Sequence, residues 1–530
     1  MLNLKQLAQY SLTQSRELQS QVLNAMRDFS EEDFDSDIFY LMGLLSANIG
    51  EFESSFYYYS RCLDKNPTYK NALFDLGAIH FNLGYWNEGI MYGEQVYRLD
   101  KDFKNITQHL ANSYSQIGKH DEANHYYRES IELNPNNIQV WADYFLSLNY
   151  CNIPIESRIE LQNEYKRQGF QNNEFPKIVR KSKIRIGYVS SDFRNHAVSY
   201  FYKGLITHHN QEVFDVYFYS TSDINDDITQ KFQESGTFTC ITNSELLYNT
   251  IILDDIDILI DLNGYTRGHS LDVFINNPSP IQITWLGFLN SLSLSSLPYK
   301  LTDRNLIDDS IKDYYTEELL LLNNCLFYDP PQNCPNISPL PYLKNGYLTF
   351  GFFNNFRKVN DDVLYAWSKI LLSHKDCKFI MISSDFKHQN EYVIDYLNNQ
   401  GFTNIEMVKQ GDIIQFMELF NQVDVSLDSF HHVGGVTTAH SLWMGVPVLT
   451  LQGSLESERI SSALLKNVGL DYHVSFNQEE YIQKGIDLDS NTLIEIRRHL
   501  RDRFPKRDSI LKELENTYIG LYHKHSTTDI

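Results

Sequence analysis

The chain has 530 residues, of which 42% are hydrophobic and 21% charged, so it is long enough for about three ordinary domains. Its formal net charge of −23 would repel phosphate backbones and argues against a nucleic-acid partner. We find neither a signal peptide nor about 18 consecutive uncharged apolar residues, and therefore expect a cytoplasmic protein without a membrane span. The six cysteines form no C-x-x-C pair, which argues against structural zinc and disulfides.

Glycines recur every 34 residues in the first third of the chain, at Gly50, Gly84 and Gly118. A 34-residue period is typical of tetratricopeptide repeats, in which stacked helix pairs bury apolar faces that one pair cannot bury alone. We therefore predict capping helices over residues 1–35 and a repeat array over 36–170. Its three clear repeats lie near 36–69, 70–103 and 104–137, followed by a degenerate helical segment.

Such an array is expected to hold a protein or peptide along its concave surface. Aromatic side chains are candidates for lining that groove, and they are Tyr57, Tyr58, Tyr59, Tyr92, Tyr126 and Tyr127. Several of these tyrosines must equally belong to the core. The alternative interpretation is an array that only makes the chain rigid.

From Lys183 onward the sequence alternates between apolar strands and helical stretches, which predicts parallel, doubly wound sheets. The predicted strands of a first domain, residues 183–340, are 183–189, 214–219, 256–261 and 281–287. A second domain, residues 347–530, repeats the cycle with strands 348–353, 378–383, 423–427 and 447–451 and a helix over 361–373. Ligands of such sheets bind beyond the carboxyl ends of the strands, so residues that directly follow strands are the candidates.

Three such residues lie at two strand ends of the first domain. His196 follows the first strand and has a side chain suited to act as general base on a hydroxyl group. Trp285 and Gly287 end the fourth strand, where a glycine would let a ligand approach the backbone closely. The alternatives are an ordinary surface or core histidine and an ordinary tight turn.

The second domain contains the stronger signals. Lys358 follows a strand and could neutralise a departing diphosphate, although a solvent-facing lysine is the alternative. Gly434, Gly435, Thr437 and Thr438 precede or begin a helix, where free N–H groups, hydroxyls and the helix dipole favour an anion. The segment lacks the Gly-Lys-Ser/Thr ending of a P-loop, and a capped glycine turn remains the alternative. A diphosphate bound here would allow sugar transfer without a metal or cofactor.

Taken in order, six segments resemble the O-linked N-acetylglucosamine transferase and SPINDLY family, and the chain looks like a bacterial member. The segments lie at 186–196, 257–266, 280–287 and 352–358, and at Gly434-Gly-x-Thr-Thr438 and Leu442-Trp-Met-Gly-Val-Pro447. The resemblance implies a tetratricopeptide α-solenoid followed by a GT-B fold of two α/β domains. It also implies an inverting transfer from a nucleotide sugar onto Ser or Thr of a protein lying along the repeats.

The resemblance also implies roles for individual residues. His196 would face the acceptor and the sugar, and Lys358 would bind the donor diphosphate. Thr437 and Thr438 would hold the phosphates, and Asn355 would lie on the donor side. Transfer of this kind depends on stabilising the charge of the departing diphosphate while a hydroxyl group is oriented.

Three departures from the family pattern leave the donor open. A proline- and glycine-rich turn is replaced by residues 288–293, an acidic ribose-binding residue by Ser441, and a histidine near the base by Phe416. UDP-N-acetylglucosamine is the default donor. The alternatives are a guanosine or cytidine nucleotide carrying fucose or a nonulosonic acid for flagellin or another surface protein, and a catalytically inactive repeat scaffold.

Overall fold

The computed structural model describes residues 2–170, 173–179, 181–383 and 387–526. The chain divides into two compact units, Met1–Val140 and Trp141–Ile530. Helices follow one another through the first unit, and their bounds are α1 (Leu2–Ser11), α2 (Arg16–Arg27), α3 (Ser36–Ile49), α4 (Phe52–Lys65), α5 (Lys70–Asn82), α6 (Trp86–Leu99), α7 (Ile106–Gln116) and α8 (His120–Leu133).

The three helix pairs α3–α4, α5–α6 and α7–α8 confirm the predicted repeats. Gly50, Gly84 and Gly118 lie in the turns inside these pairs, with φ angles of 91°, 81° and 81°. Residues with a Cβ adopt this left-handed conformation only at a cost, which explains the 34-residue glycine period. Small residues are needed within the pairs as well, because a Cβ on Gly43 would lie 2.5 Å from the ring of Tyr59.

The tyrosines proposed for a groove have different environments. Tyr58, Tyr59, Tyr126 and Tyr127 are buried, with exposed fractions of 8% or less. Tyr92 is half-buried, and Tyr57 is exposed at 47%. Four of the six therefore pack in the interior of the first unit, as expected for residues that hold stacked helices together.

The second unit begins with a helical hairpin and continues into the α/β region. α9 (Ile138–Leu148) and α10 (Ile155–Lys166) form the predicted degenerate segment. The fully buried Trp141 lies 5.2 Å from Tyr165, measured between ring centroids. The helices that follow are α11 (Ser199–Ile206), α12 (Asp227–Ser235), α13 (Ser244–Leu253), α14 (Leu271–Phe274), α15 (Tyr342–Asn345), α16 (Asp361–Ser373), α17 (Lys387–Asn399), α18 (Ile413–Leu419), α19 (Val436–Trp443), α20 (Ile460–Asn467), α21 (Gln478–Ile486), α22 (Ser490–His499) and α23 (Arg507–Ser526).

The first sheet has seven parallel strands within the described ranges, in the order β3-β2-β1-β4-β5-β6-β7. Its strands are β1 (Ile184–Ser190), β2 (Phe214–Ser220), β3 (Thr237–Cys240), β4 (Ile258–Asp261), β5 (Ile281–Trp285), β6 (Tyr299–Asp303) and β7 (Glu318–Leu322). The four predicted strands are confirmed as β1, β2, β4 and β5. The sequence prediction missed β3, β6 and β7.

The second sheet is also parallel and has six strands in the described part of the chain, in the order β10-β9-β8-β11-β12-β13. Its strands are β8 (Thr349–Phe352), β9 (Lys378–Ile382), β10 (Ile405–Val408), β11 (Val425–Leu427), β12 (Val448–Leu451) and β13 (Val474–Ser475). The prediction missed β10 and β13. Two doubly wound sheets in one unit confirm the predicted α/β class.

One hydrophobic cluster joins the two sheets. It contains residues of the first sheet, such as Ile186 and Ile283, together with Ala439 of α19 and Leu464 of α20. The final helix, α23, contributes Leu514 to the same cluster and so packs against the first α/β half. Among the described residues, no helix is both long and apolar enough to cross a membrane.

Candidate functional site

Two neighbouring cavities lie where loops at the carboxyl ends of the strands meet. The smaller cavity, of about 670 Å³, is lined among others by His196, Tyr200, Asn355, Phe416, Thr437 and His440. The larger cavity, of about 840 Å³, is lined among others by Tyr150, His196, Gly287, Lys358, His432 and Gly435. His196, Ala197 and Val436 line both cavities, so the two cavities lie side by side.

Lys358 lies at the end of a short 3₁₀-helix, Phe356–Lys358, that directly follows β8. Asn355 begins this helix, and its side-chain oxygen accepts a hydrogen bond from the Arg357 N–H at 2.9 Å. The Lys358 Nζ donates to the Val433 carbonyl oxygen at 3.0 Å. Burial lowers the pKa of Lys358 to about 8, a change that Asp428 opposes and Arg357 assists.

The loop that supplies Val433 is fixed by the buried Asp428, which follows β11. One carboxylate oxygen of Asp428 accepts from the Gly434 N–H at 2.8 Å and the Ser429 N–H at 3.0 Å. The other oxygen accepts from the Thr450 hydroxyl at 2.8 Å. Burial raises the pKa of Asp428, and its hydrogen bonds act against that rise. Both ends of the loop are thereby held against the sheet, and the partner of Lys358 is held with them.

The predicted anion site at the start of α19 divides into two faces. Thr437 is half-buried and lines the smaller cavity. Thr438 is only 3% exposed, and its hydroxyl lies 2.8 Å from that of Ser461. The Ser461 hydroxyl in turn donates to the Gly434 carbonyl at 2.6 Å. Thr437 is therefore placed to meet a ligand, whereas Thr438 is engaged in holding the loop.

Gly434 and Gly435 also have different roles, because only Gly435 lines one of the two cavities. A Cβ on Gly434 would lie 2.4 Å from the Thr438 hydroxyl oxygen, so internal packing requires glycine there. Gly435 lines the larger cavity and precedes the first turn of α19, at the end where free N–H groups favour negative charge. The structure thus brings Gly435 and Lys358 to the wall of the same cavity.

His196 enters this space from the first α/β half, on the loop after β1. Its Nδ1 lies 3.6 Å from a carboxylate oxygen of Asp192, which is longer than a hydrogen bond. Asp192 is held by Asn263, whose amide donates to it at 3.1 Å. Burial lowers the pKa of His196. The charge of Asp192 opposes this shift, and the charge of Arg194 adds to it. A neutral imidazole beside a carboxylate can accept a proton from a bound hydroxyl group.

Trp285 and Gly287 are placed differently from each other. Trp285 is fully buried in β5 and belongs to the hydrophobic cluster that joins the sheets. Its side chain lines neither of the two cavities. Gly287 lines the larger cavity, yet a Cβ there would lie 2.1 Å from the Leu262 carbonyl oxygen. Glycine is therefore needed at 287 for the close packing of two loops.

His440 is a wall residue that the sequence analysis missed. Its ring lies 5.7 Å from the Phe416 ring and 5.2 Å from the Tyr200 ring, and its Nδ1 lies 2.6 Å from the Tyr328 hydroxyl. Burial lowers the pKa of His440 to about 3, so the ring is neutral near pH 7. Its spacing of three residues from Thr437 was the available signal, because residues three apart share a helix face.

Ser441, the residue expected at a ribose-binding position, instead lies on the buried face of α19. Its hydroxyl donates to the Val446 carbonyl at 2.9 Å and lies 2.9 Å from the Ser426 hydroxyl. Phe416, expected near a base, does line the smaller cavity. The inner wall of that cavity is therefore formed by Phe416 and His440, without Ser441.

The segment that departs from the family turn, residues 288–293, is tied into the interior. The carboxylate of Glu317 accepts from the Leu292 N–H at 2.6 Å and the Ser291 hydroxyl at 2.7 Å. The fully buried Asn290 donates to Asn149 at 2.7 Å and to the Ser457 hydroxyl at 3.1 Å. Of this segment, Phe288 and Leu289 reach the larger cavity.

Comparison with known families identifies two regions of the chain. The model of glycosyl transferase family 41 matches residues 159–334 and 341–516. A tetratricopeptide repeat model matches residues 108–137. The first match covers both α/β halves, including every candidate site residue, and the second falls on α7 and α8.

Individual proteins agree with these matches. The chain is 31% identical to the probable UDP-N-acetylglucosamine–peptide N-acetylglucosaminyltransferase SPINDLY of Arabidopsis thaliana. That alignment spans 373 residues and covers 66% of this chain and 40% of the plant protein. For the Solanum lycopersicum protein of the same name, identity is 27%, over 76% of this chain and 46% of that protein. The chain thus spans less than half the length of these relatives.

A solved structure matches almost the whole chain. It is a lysine-to-methionine mutant of Thermobaculum terrenum O-GlcNAc transferase, with a TM-score of 0.82 and 25% sequence identity. The alignment covers 95% of this chain and all of that one. The order of helical repeats followed by two α/β halves is therefore shared over 95% of this chain.

Proposed function

Because this chain belongs to glycosyl transferase family 41, we propose that it is a protein O-glycosyltransferase. It moves a sugar from a nucleotide donor to a Ser or Thr hydroxyl group of a protein, with inversion at the anomeric carbon. The default donor is UDP-N-acetylglucosamine, the sugar nucleotide in the names of the plant relatives. The observation that carries the proposal is the convergence of Lys358, Gly435 and Thr437 of one α/β half with His196 of the other.

In this proposal the donor diphosphate lies between Lys358 and the start of α19. The sugar leaves with negative charge developing on the diphosphate, and a fixed cation with oriented N–H and hydroxyl donors stabilises that charge. Lys358 has a pKa of about 8 and is mostly protonated at neutral pH. Its charge and the donors at Gly435 and Thr437 are the groups that we propose for this role, with no metal or cofactor.

The acceptor hydroxyl group approaches from the side of His196. Its oxygen forms the new bond to the anomeric carbon while the bond to the diphosphate breaks, and its proton passes to the neutral imidazole. Asp192 at 3.6 Å would stabilise the resulting imidazolium. Holding both reactants in one cavity supplies much of the rate increase, because an encounter of two molecules becomes a reaction within one complex.

The donor's base and ribose would occupy the smaller cavity, against Phe416 and His440. Neither side chain carries charge near pH 7, so the wall itself is compatible with uridine, guanosine or cytidine donors. We further propose that the protein acceptor lies along the repeats, and that the enzyme acts in the cytoplasm. All six cysteines have free thiols, which fits a reducing compartment.

Calorimetry with UDP, GDP, CDP and their common sugar conjugates tests the proposal. We expect one nucleotide to bind tightly to the wild type and not to Lys358→Ala. Lys344→Ala, which removes an exposed lysine of α15 in the same half, is the matched control and should bind as the wild type does. Absence of binding to every nucleotide would contradict the proposal and favour an inactive repeat scaffold.

A further inference from the structure

The turn after α9 reaches the loops that hold Lys358, although it belongs to neither sheet. Tyr150 lies in this turn, and its ring stacks on the His432 imidazole with centroids 4.7 Å apart and planes inclined by 6°. The guanidinium carbon of Arg357 lies 4.8 Å from the centroid of the same ring. One tyrosine therefore contacts two loops of the second α/β half.

The two contacted residues immediately precede the atoms of the proposed diphosphate site. Arg357 is followed by Lys358, and His432 is followed by Val433, whose carbonyl accepts from Lys358 at 3.0 Å. Movement of either neighbour would displace one partner of that bond.

The turn itself is firmly held. Arg158, only 3% exposed, donates to the carbonyl oxygens of Leu148 and Cys151 on both sides of Tyr150. The Asn149 side-chain oxygen accepts from Asn290, at 2.7 Å. The turn that carries Tyr150 is thus hydrogen-bonded to α10 through Arg158 and to the first α/β half through Asn290.

Tyr150 does more than fill the core. It is half-buried, and it lines the larger cavity together with His432 and Lys358. Its stacking partners are an imidazole and a guanidinium group, which are polar groups that an aromatic face orients rather than simply covers.

We propose that Tyr150 is a positioning residue for the diphosphate site. Its ring fixes Arg357 and His432, and thereby sets the distance and direction of the Lys358 ammonium group relative to Val433. The inference rests on the proposed function, because the site that Tyr150 orders is the one assigned there to the donor diphosphate. It also makes the helical hairpin α9–α10 part of the donor site.

The test uses the full chain, with calorimetric binding of UDP, or of GDP or CDP if the wild type binds that nucleotide instead, and kcat and KM for donor hydrolysis. We expect Tyr150→Leu to weaken binding and lower kcat, each by about tenfold. Tyr150→Phe keeps the ring and should stay within about twofold of the wild type. Tyr365→Leu removes a tyrosine that contacts Lys369 outside the cavities and should change neither quantity.

Wild-type binding and kcat in a folded Tyr150→Leu variant would overturn the inference and leave the proposed function intact. Absence of nucleotide binding to the wild type would instead contradict the proposed function. If Tyr150→Leu does not fold, His432→Leu removes the same stacking contact from the other side. An unchanged Kd and kcat in that variant would also overturn the inference.

Discussion

The hydrogen bond of Lys358 goes to a neutral carbonyl, so a full positive charge is held beside a cavity with only partial compensation. Asp428 attracts it, but the Asp428 oxygens already accept from two N–H groups and a hydroxyl. Burial therefore dominates and lowers the pKa of Lys358 from 10.5 to about 8. This arrangement supports the proposed diphosphate site, because a bound phosphate would supply the negative charge that the surrounding residues provide only in part.

We predict that Lys358→Met abolishes sugar transfer but does not destabilise the protein. The pKa of Lys358 is lower in the folded than in the unfolded protein, so the charged form costs folding free energy at pH 7. Removing the charge should raise the free energy of unfolding by on the order of 1 kcal/mol, after allowance for solvent screening. Denaturant unfolding and a turnover assay on one preparation measure both effects.

The pH dependence provides the control for that prediction. Below pH 8 the lysine is charged in both the folded and the unfolded protein, so the charge lowers the stability of the wild type in full. Between about pH 8 and 10.5 the lysine loses its proton only in the folded state, and this loss of stability is relieved. The advantage of Lys358→Met should therefore shrink above pH 8. An advantage that grows with pH would contradict the assigned pKa shift.

At the scale of single elements, α19 shows what sequence alone could provide. The Gly434-Gly435 pair with two following threonines indicated an anion site at a helix start, and the structure places a helix start there. Which threonine faces the cavity depends on Ser461, a partner 23 residues away that no local pattern reveals. For the same reason the sequence analysis passed over His440, which lines the smaller cavity.

Replacing Thr437 and Thr438 one at a time tests which face of α19 meets the ligand. We predict that Thr437→Val weakens nucleotide binding about fivefold to tenfold with little change in stability, because it removes a cavity-facing hydroxyl. Thr438→Val should instead lower the free energy of unfolding by about 1–2 kcal/mol, because the buried Ser461 loses a partner. Calorimetry and denaturant unfolding of each variant make the comparison, and the reverse assignment of effects would contradict it.

Three of the strands that the sequence analysis missed, β3, β6 and β13, are short or contain a charged residue. β3 is an edge strand of four residues, and β13 has only two residues. Neither strand is long enough to show a hydrophobic alternation in the sequence. β6 is buried but contains Lys300, whose ammonium group lies 3.4 Å from the buried Glu456 of the other half. A charged residue in the sequence indicates an exposed segment, and only the structure reveals the buried partner that lets Lys300 lie inside a strand.

The segment over residues 288–293 gives a prediction about the junction between the α/β halves. Asn290 bonds both to Asn149 and to Ser457, so Asn290→Ala should leave buried polar groups unpaired and lower the free energy of unfolding by about 2–4 kcal/mol. Asn305→Ala is the matched control, because Asn305 also joins the halves through an asparagine, Asn467, but in an exposed position. Denaturant unfolding in which both variants lose the same stability would contradict the role of Asn290.

At the scale of the whole molecule, the last helix packs against the part of the chain where the α/β region begins. α23 returns to the first half, where Glu515 accepts from the Asn210 N–H at 2.8 Å and lies 3.1 Å from His209. Tyr522 accepts from the Lys181 N–H at 3.3 Å in the segment that enters β1. The beginning and the end of this region are thus joined, so the region has the contacts of a self-contained catalytic body.

All candidate site residues lie in the second unit, while the first unit has a separate hydrophobic core of its own. We therefore predict that removing residues 1–136, which leaves α9 complete, preserves donor hydrolysis within about twofold. Transfer to a protein acceptor should fall by about tenfold or more in kcat/KM, because the surface proposed to hold the acceptor is lost. A short peptide that cannot span the repeats is the control substrate and should be modified as before. Equal loss of hydrolysis and protein transfer would mean that the repeats serve the folding of the catalytic body, and the acceptor would have to be recognised within the larger cavity itself.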